Sequence, residues 1–200
     1  MMTGNYIESI ARLLQDYLKH WSEDQPRLEV LLKQVEEEDR ELTNRKNMVG
    51  HLTGSALVVD DQNRVLLIKH NMLKRWLQPG GHLDFEEWPA DGSLRELVEE
   101  TGISEDGHGL KLHRLHGKFG EGLPIDVDSH KIPENPGKGE GPHLHHDFQY
   151  VYELSEGAHK LNLQEEEVSQ FRWMPLEELL SGAYGVRLQR VAGKILTLSR

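Results

Sequence analysis

Cysteine is absent from this 200-residue chain. That removes disulfides, thiolate nucleophiles and every cysteine-based zinc site in one step. Basic clusters are missing as well: 23 Lys and Arg stand against 34 Asp and Glu, a formal net charge of -11. A nucleic-acid polymer is therefore not an expected partner, because binding one through counterion release needs clustered Lys and Arg. A small anion remains compatible if a cation mediates the contact. No apolar run approaches membrane-spanning length, and the opening MMTGNYIESIARLL has neither a basic start nor a long apolar core. The expectation is a soluble cytoplasmic protein with no membrane partner.

Carboxylates are what the chain has in plenty, and one stretch concentrates them. Residues 81–103 read GHLDFEEWPADGSLRELVEETGI. Wound at about 100° per residue, Glu96, Glu99 and Glu100 fall within roughly a quarter of a helix circumference, with Leu94, Leu97, Val98 and Thr101 opposite. Like charges at i, i+3 and i+4 repel unless water or a cation screens them. Oxygen ligands at that density suit a hard divalent cation, Mg²⁺ or Mn²⁺, and not zinc. A solvated acidic face would explain the charges but not Gly81, Glu87, Arg95 and Gly102 at their offsets. The helix is predicted to begin near Pro89 and to stop at Gly102.

The elements around this stretch follow from periodicity. Ile7, Ile10, Leu13, Leu14, Tyr17, Leu18 and Trp21 predict one amphipathic helix. Leu28, Leu31, Leu32, Val35 and Leu42 predict a second, entered through a Ser22-x-x-Gln25 capping box, and Glu36 to Asp39 form its solvated side. The apolar stripes of this hairpin must bury on the following domain or on a second copy of the chain, which would make a homodimer through the N-terminal helices. Strands are predicted at His51–Val59, Arg64–Lys69, His143–Leu154 and Phe171–Met174, with short pieces at Leu110–Leu115 and Ile125–Val127. A short helix at Leu176–Leu180 and a final amphipathic helix through Leu188–Leu198 complete an α+β pattern. The long, Gly- and His-rich stretch 104–142 is expected to be functional, as long loops in compact domains usually are.

The series Gly81, Glu87, Arg95-Glu96-Leu97-x-Glu99-Glu100-x-Gly102-Ile103 resembles a complete Nudix box, the signature of the Nudix hydrolases. The resemblance implies an α/β/α sandwich with a mixed sheet over residues 48–200, preceded by the helical hairpin at 1–47. It implies a divalent-metal-dependent pyrophosphohydrolase that splits a nucleoside diphosphate linked to another group into a nucleoside monophosphate and a phosphorylated remainder. Carried over residue by residue, Glu96, Glu99 and Glu100 become metal ligands helped by the Gly80 carbonyl. Arg95 orients the carboxylates, and Glu87 assists near the helix start. For the general base, Glu166 is the best positional match in Gln164-Glu165-Glu166-Glu167, with its neighbours as rivals and a box glutamate as the alternative. The related isomerases that need a catalytic cysteine are disfavoured. The competing reading is a Nudix-fold nucleotide-sensing or partner-binding protein without turnover.

Several side chains stand outside the box. Trp76 and Phe119 could stack on a nucleobase. His130, His143, His145 and His146 raise the question of zinc, but substrate-side or structural roles are preferred, with His143 and His145 sharing one strand face with Asp147 and His146 turned away. Two departures from the family pattern stand out: Glu86 where glycine is common, and Gly92 at a helix position where alanine is usual.

Overall fold

The computed structural model describes residues 6–37, 41–113, 115–120, 122–154 and 161–199, together with the backbone alone at Phe119 and Lys138. Glu38 and Asp39 of the expected acidic face, and the side chain of Phe119, lie outside what is described. Eight strands among the described residues form one mixed sheet. At its centre β1 (His51–Val59), buried at every position, runs parallel to β7 (His143–Glu153), pairing His51 with His145 and Thr53 with Asp147. β2 (Arg64–His70) turns back antiparallel to β1 and carries β3 (Trp76–Leu77) and β8 (Val168–Pro175). β4 (Gly80–His82) pairs with the first half of β1. β5 (Lys111–Leu112) and β6 (Asp126–Ile132) pair with β7. The one parallel pair is what makes the sheet mixed.

α3 (Pro89–Thr101) lies against β1 where the strand carries Gly54: a Cβ there would approach the Pro89 carbonyl to 2.9 Å. The helix starts with proline in its first turn and stops at Gly102, which adopts φ +71°, a left-handed conformation that glycine takes without steric cost. Its buried face differs from the expected one. Leu97, Thr101 and Ser93 are buried as packing residues, yet Glu100 is only 2 % exposed and Val98 is 42 % exposed. The helix is rotated so that its third box glutamate points into the protein.

The N-terminal stripes bury within the chain. α1 (Tyr6–His20) contributes Ile7, Ile10, Leu13, Leu14 and Tyr17, and the following turns contribute Leu28 and Leu31, to the same core as β1, β7 and α6 (Val186–Leu198). The capping box is not made. Ser22–Leu28 is a 3₁₀ turn entered at Trp21 without a side-chain cap, and α2 spans only Glu29–Glu36, so Leu42 is buried beyond the helix. Pro26 inside the tighter turn gives the physical reason, since its ring keeps the α-helical ladder from starting there. The long stretch 104–142 carries two short helices, α4 (Glu105–His108) and α5 (His116–Phe119), besides its strands. No helix of the described residues is long and apolar enough to cross a membrane.

Candidate active site

The box residues converge where α3 passes the β4 edge. Arg95 is the hub: its Nε and Nη2 donate to the two oxygens of Glu87 at 2.9 Å each, and Nη1 donates to Glu96 at 3.0 Å and Glu99 at 3.2 Å. Nη2 also donates to the His82 carbonyl at 2.8 Å, fastening the helix to β4. Bidentate guanidinium pairing of this kind fixes orientation as well as charge. Glu100 takes a different partner, accepting from the Gly80 amide at 2.9 Å. A Cβ at Gly81 would lie 2.4 Å from the Glu96 carboxyl carbon, so glycine there leaves the Glu96 carboxylate its present position.

Charge in this cage does not balance. Burial, and after it the neighbouring Glu96, Glu167 and Glu99, push the Glu100 carboxyl up to about 8, against the pull of the Gly80 amide. Burial likewise raises Glu96 above its usual value although Arg95 pulls it down. Glu87 behaves oppositely: burial opposes ionisation there, but the Arg95 pair wins and holds its carboxyl low. One guanidinium thus bonds three carboxylates and leaves Glu100 to the Gly80 amide, and Glu99 stays half-exposed at the mouth, with 52 % of its side chain accessible. A hard divalent cation fits this donor set, which is all oxygen, crowded and short of positive charge.

Both family departures find a place here. Glu86 sits at φ +52°, a region costly to any residue with a Cβ, which accounts for glycine being common there. Gly92 lacks a Cβ that would fall 2.9 Å from a Glu87 oxygen and 2.3 Å from Leu83. The helix propensity lost at Gly92 makes room for the Glu87 carboxylate.

Glu167, rather than Glu166, is the late-loop glutamate whose charge reaches Glu96 and Glu100. The loop is tied to the end of α3, with the Gln164 amide donating to the Glu100 carbonyl and the Asn162 amide to the Thr101 carbonyl. The backbone carbonyl of Glu166 instead accepts from Asn71 at 3.2 Å. Trp76 lies on β3 with the Arg172 guanidinium 4.0 Å above its ring, so one face is already covered.

The opposite face of the sheet carries the histidines. His143 and His145 do share that face, and they meet His51 and His82, which sequence reasoning had not singled out. Burial and the neighbouring His82 and His51 push His145 down to about 2. His146 turns away as expected, with Nε2 2.9 Å from Gln34 and Nδ1 2.7 Å from the Ser129 hydroxyl. His130 is held by Arg187 and Asp128. Asp147, buried beside them, accepts from the Thr53 and Ser55 hydroxyls at 3.1 and 2.7 Å, and burial raises its carboxyl above the usual value. No local signal marks His51 or His82; only the register of β1 with β4 and β7 joins them.

A family model described as the NUDIX domain matches residues 51–191. The chain belongs to the Nudix family. A probable DHNTP pyrophosphohydrolase of Lactococcus lactis subsp. cremoris (strain MG1363) is 32% identical over 156 residues, covering 78% of this chain and 81% of that protein. Phosphatase NudJ of Escherichia coli (strain K12) is 36% identical over 62 residues, 30% of this chain and 40% of that protein. Among solved structures, a C. elegans Ap4A hydrolase binary complex superposes with a TM-score of 0.55 at 16% identity, over 74% of this chain and 96% of that one. An E. coli dihydroneopterin triphosphate pyrophosphohydrolase gives 0.50 at 12% identity, over 73% and 94%. These structural likenesses show the Nudix fold, and the named relatives make this chain a Nudix hydrolase acting on phosphoric anhydride bonds.

Proposed function

We propose that the chain is a Mg²⁺- or Mn²⁺-dependent pyrophosphohydrolase that cleaves a nucleoside diphosphate linked to a further group. The products are a nucleoside monophosphate and the phosphorylated remainder. One observation carries this reading: Glu96, Glu99 and Glu100 crowd against Gly80 and Gly81 with a single guanidinium among them. The cation would be held by these three glutamates and the Gly80 carbonyl, and when bound it neutralises phosphoryl oxygens and acidifies water. Arg95 keeps Glu96 and Glu99 aimed at a common point, and Glu87 anchors Arg95 from behind. Glu167 is the loop carboxylate best placed to accept a proton from the attacking water, which moves the sequence expectation from Glu166 by one residue. Trp76 is partly buried against the core with Arg172 over its ring, and His143 and His145 lie on the sheet face opposite the cage, so they take no part in the proposed cleavage.

The Lactococcus relative's name makes a pterin triphosphate the first compound to assay, beside nucleotide sugars, dinucleoside polyphosphates and ADP-ribose. Turnover of at least one of these with Mg²⁺ or Mn²⁺, lost on chelation and in Glu99→Gln with the fold intact, is the expected result. Full activity in Glu99→Gln would remove the proposed metal role, and tight binding without turnover across the whole panel would favour a sensor.

A further inference from the structure

The histidines on the sheet face meet across three strands. His51 of β1 pairs in register with His145 of β7, and His82 of β4 pairs with Thr53, two residues along β1 on the same face. Ring centroids stand 4.8 Å apart for His51 and His145, 4.9 Å for His82 and His145, and 5.1 Å for His51 and His82. One ring nitrogen from each lies within 4.8 Å of the others. We propose that His51, His82 and His145 form a binding site for a borderline divalent transition-metal cation of the Zn²⁺ class, separate from the glutamate cage and with His143 at its edge.

Hydrogen bonding fixes the nitrogen offered by His51 and by its neighbour His143. His51 Nδ1 is 3.2 Å from the Asn47 carbonyl and His143 Nδ1 is 2.8 Å from the Gly141 carbonyl. A carbonyl can only accept, so both Nδ1 atoms carry the proton and each neutral ring presents a lone pair at Nε2. This is the outer-sphere arrangement that orients histidines bound to metals. His51 is 1 % exposed, and its Nε2 is buried with no hydrogen-bond partner. A buried acceptor left unpaired costs about 1–3 kcal/mol, a cost that a cation at the ring cluster would remove.

The spacing agrees with imidazole coordination. Bonds of about 2.0–2.1 Å to a tetrahedral centre place nitrogen pairs roughly 3.3–3.4 Å apart. The nitrogens of His51, His82 and His145 lie within 4.8 Å of one another, so ring rotations would have to draw them in by up to about 1.5 Å, while the 3.3 Å contact of His143 Nε2 with His145 Nε2 shows how closely rings of this cluster approach. An anion would need donors, whereas these rings offer lone pairs. Imidazole also selects Zn²⁺, Co²⁺ or Ni²⁺ over Mg²⁺. His82 and His145 are only partly buried, which leaves an entry path and an open coordination position.

The test uses the full chain, stripped with a chelator and then titrated with Co²⁺ in excess Mg²⁺, which occupies the glutamates. Expected is the visible ligand-field absorption of a tetrahedral nitrogen-rich Co²⁺ centre, displaced by Zn²⁺, present also in Glu96→Gln/Glu99→Gln and lost in His145→Gln. Zn²⁺ affinity should fall by more than the ~10–100-fold typical of a lost outer partner. His82→Ala, on a short and partly exposed strand, repeats the test should His145→Gln fail to fold. An absent Co²⁺ band in the wild type, or a band that survives both histidine variants, overturns the site. Neither result depends on whether the glutamate cage turns over a pyrophosphate.

Discussion

Two clusters of buried charge differ in one respect. At the meeting of α1, α6 and β6, Asp24, Asp126 and Asp128 face Arg27, Arg190 and Lys194. Asp126 accepts from Arg27 at 2.6 Å, Lys194 at 2.7 Å and Arg190 at 2.7 Å, while Tyr17 bonds Asp24 and Lys194 lies 4.4 Å from the Trp21 ring centroid. There burial opposes ionisation but loses: the cations hold Asp126 low, and His130 and Arg190 hold Asp128 at about 2. In the Nudix cage burial wins, and Glu96 and Glu100 rise. A balanced cluster is a joint, fastening the N-terminal helices to the last helix. An unbalanced one stores a demand for positive charge, which is what a cation site requires.

Removing one charge from each cluster should break the comparison in opposite directions. Glu96→Gln is expected to lower kcat/KM by at least about a hundredfold, since a metal contact supplies several kcal/mol to the transition state. Its metal-free stability should hold or rise, because a repelling charge has gone. Asp126→Ala should instead destabilise by about 3–5 kcal/mol, leaving three cations facing too few carboxylates, with turnover per folded molecule retained. Denaturant melts and steady-state rates on both variants decide it. A stable Asp126→Ala or a fully active Glu96→Gln would each end the distinction.

Acidity sharpens it next. Glu100 moves from 4.5 to about 8 on folding, so across that window the folded chain keeps a proton the unfolded chain has lost. Metal-free stability should therefore fall as pH rises from about 5 to about 8, by a few kcal/mol at most. Asp128 has the opposite sign: depressed from 3.8 to about 2, it contributes stability above its unfolded value that disappears as pH falls through that range. Saturating Mg²⁺ should flatten the upper slope and leave the acid limb alone. Thermal melts with Mg²⁺ or with chelator test this, and an unchanged slope would mean that Glu100 does not meet the cation.

The two regions also differ in how far the sequence exposes them. The cage is written locally: Glu96, Glu99 and Glu100 share a helix, and Pro89 and Gly102 mark its ends, so spacing alone brings three carboxylates together. Spacing did not reveal the rotation that buries Glu100 and exposes Val98, since that depends on Gly54 letting the helix approach β1. The joint was invisible because Tyr17, Asp126 and Lys194 come from distant parts of the chain. The histidine face was half legible: period two placed His143 and His145 together, but only the parallel pairing of β1 with β7 adds His51, and only β4 adds His82. The proposal of Glu167 as the proton acceptor likewise draws on a non-local fact, the tie of its loop to the end of α3, which spacing alone does not carry.

Backbone strain gives the smallest and most local test. Glu86 holds φ +52° next to Glu87, with its amide donating to Thr43 Oγ1 at 3.2 Å. A left-handed residue with a Cβ costs about 1–2 kcal/mol, and glycine returns part of that through greater freedom in the unfolded chain. Glu86→Gly should therefore stabilise the fold by under about 1 kcal/mol, since the amide bond to Thr43 survives. If melting rises while kcat stays constant, the strain belongs to the turn alone and the cage's cost lies in its charges. Rising stability with falling kcat would instead mean that the strained turn sets the Glu87 carboxylate, and through Arg95 the aim of Glu96 and Glu99.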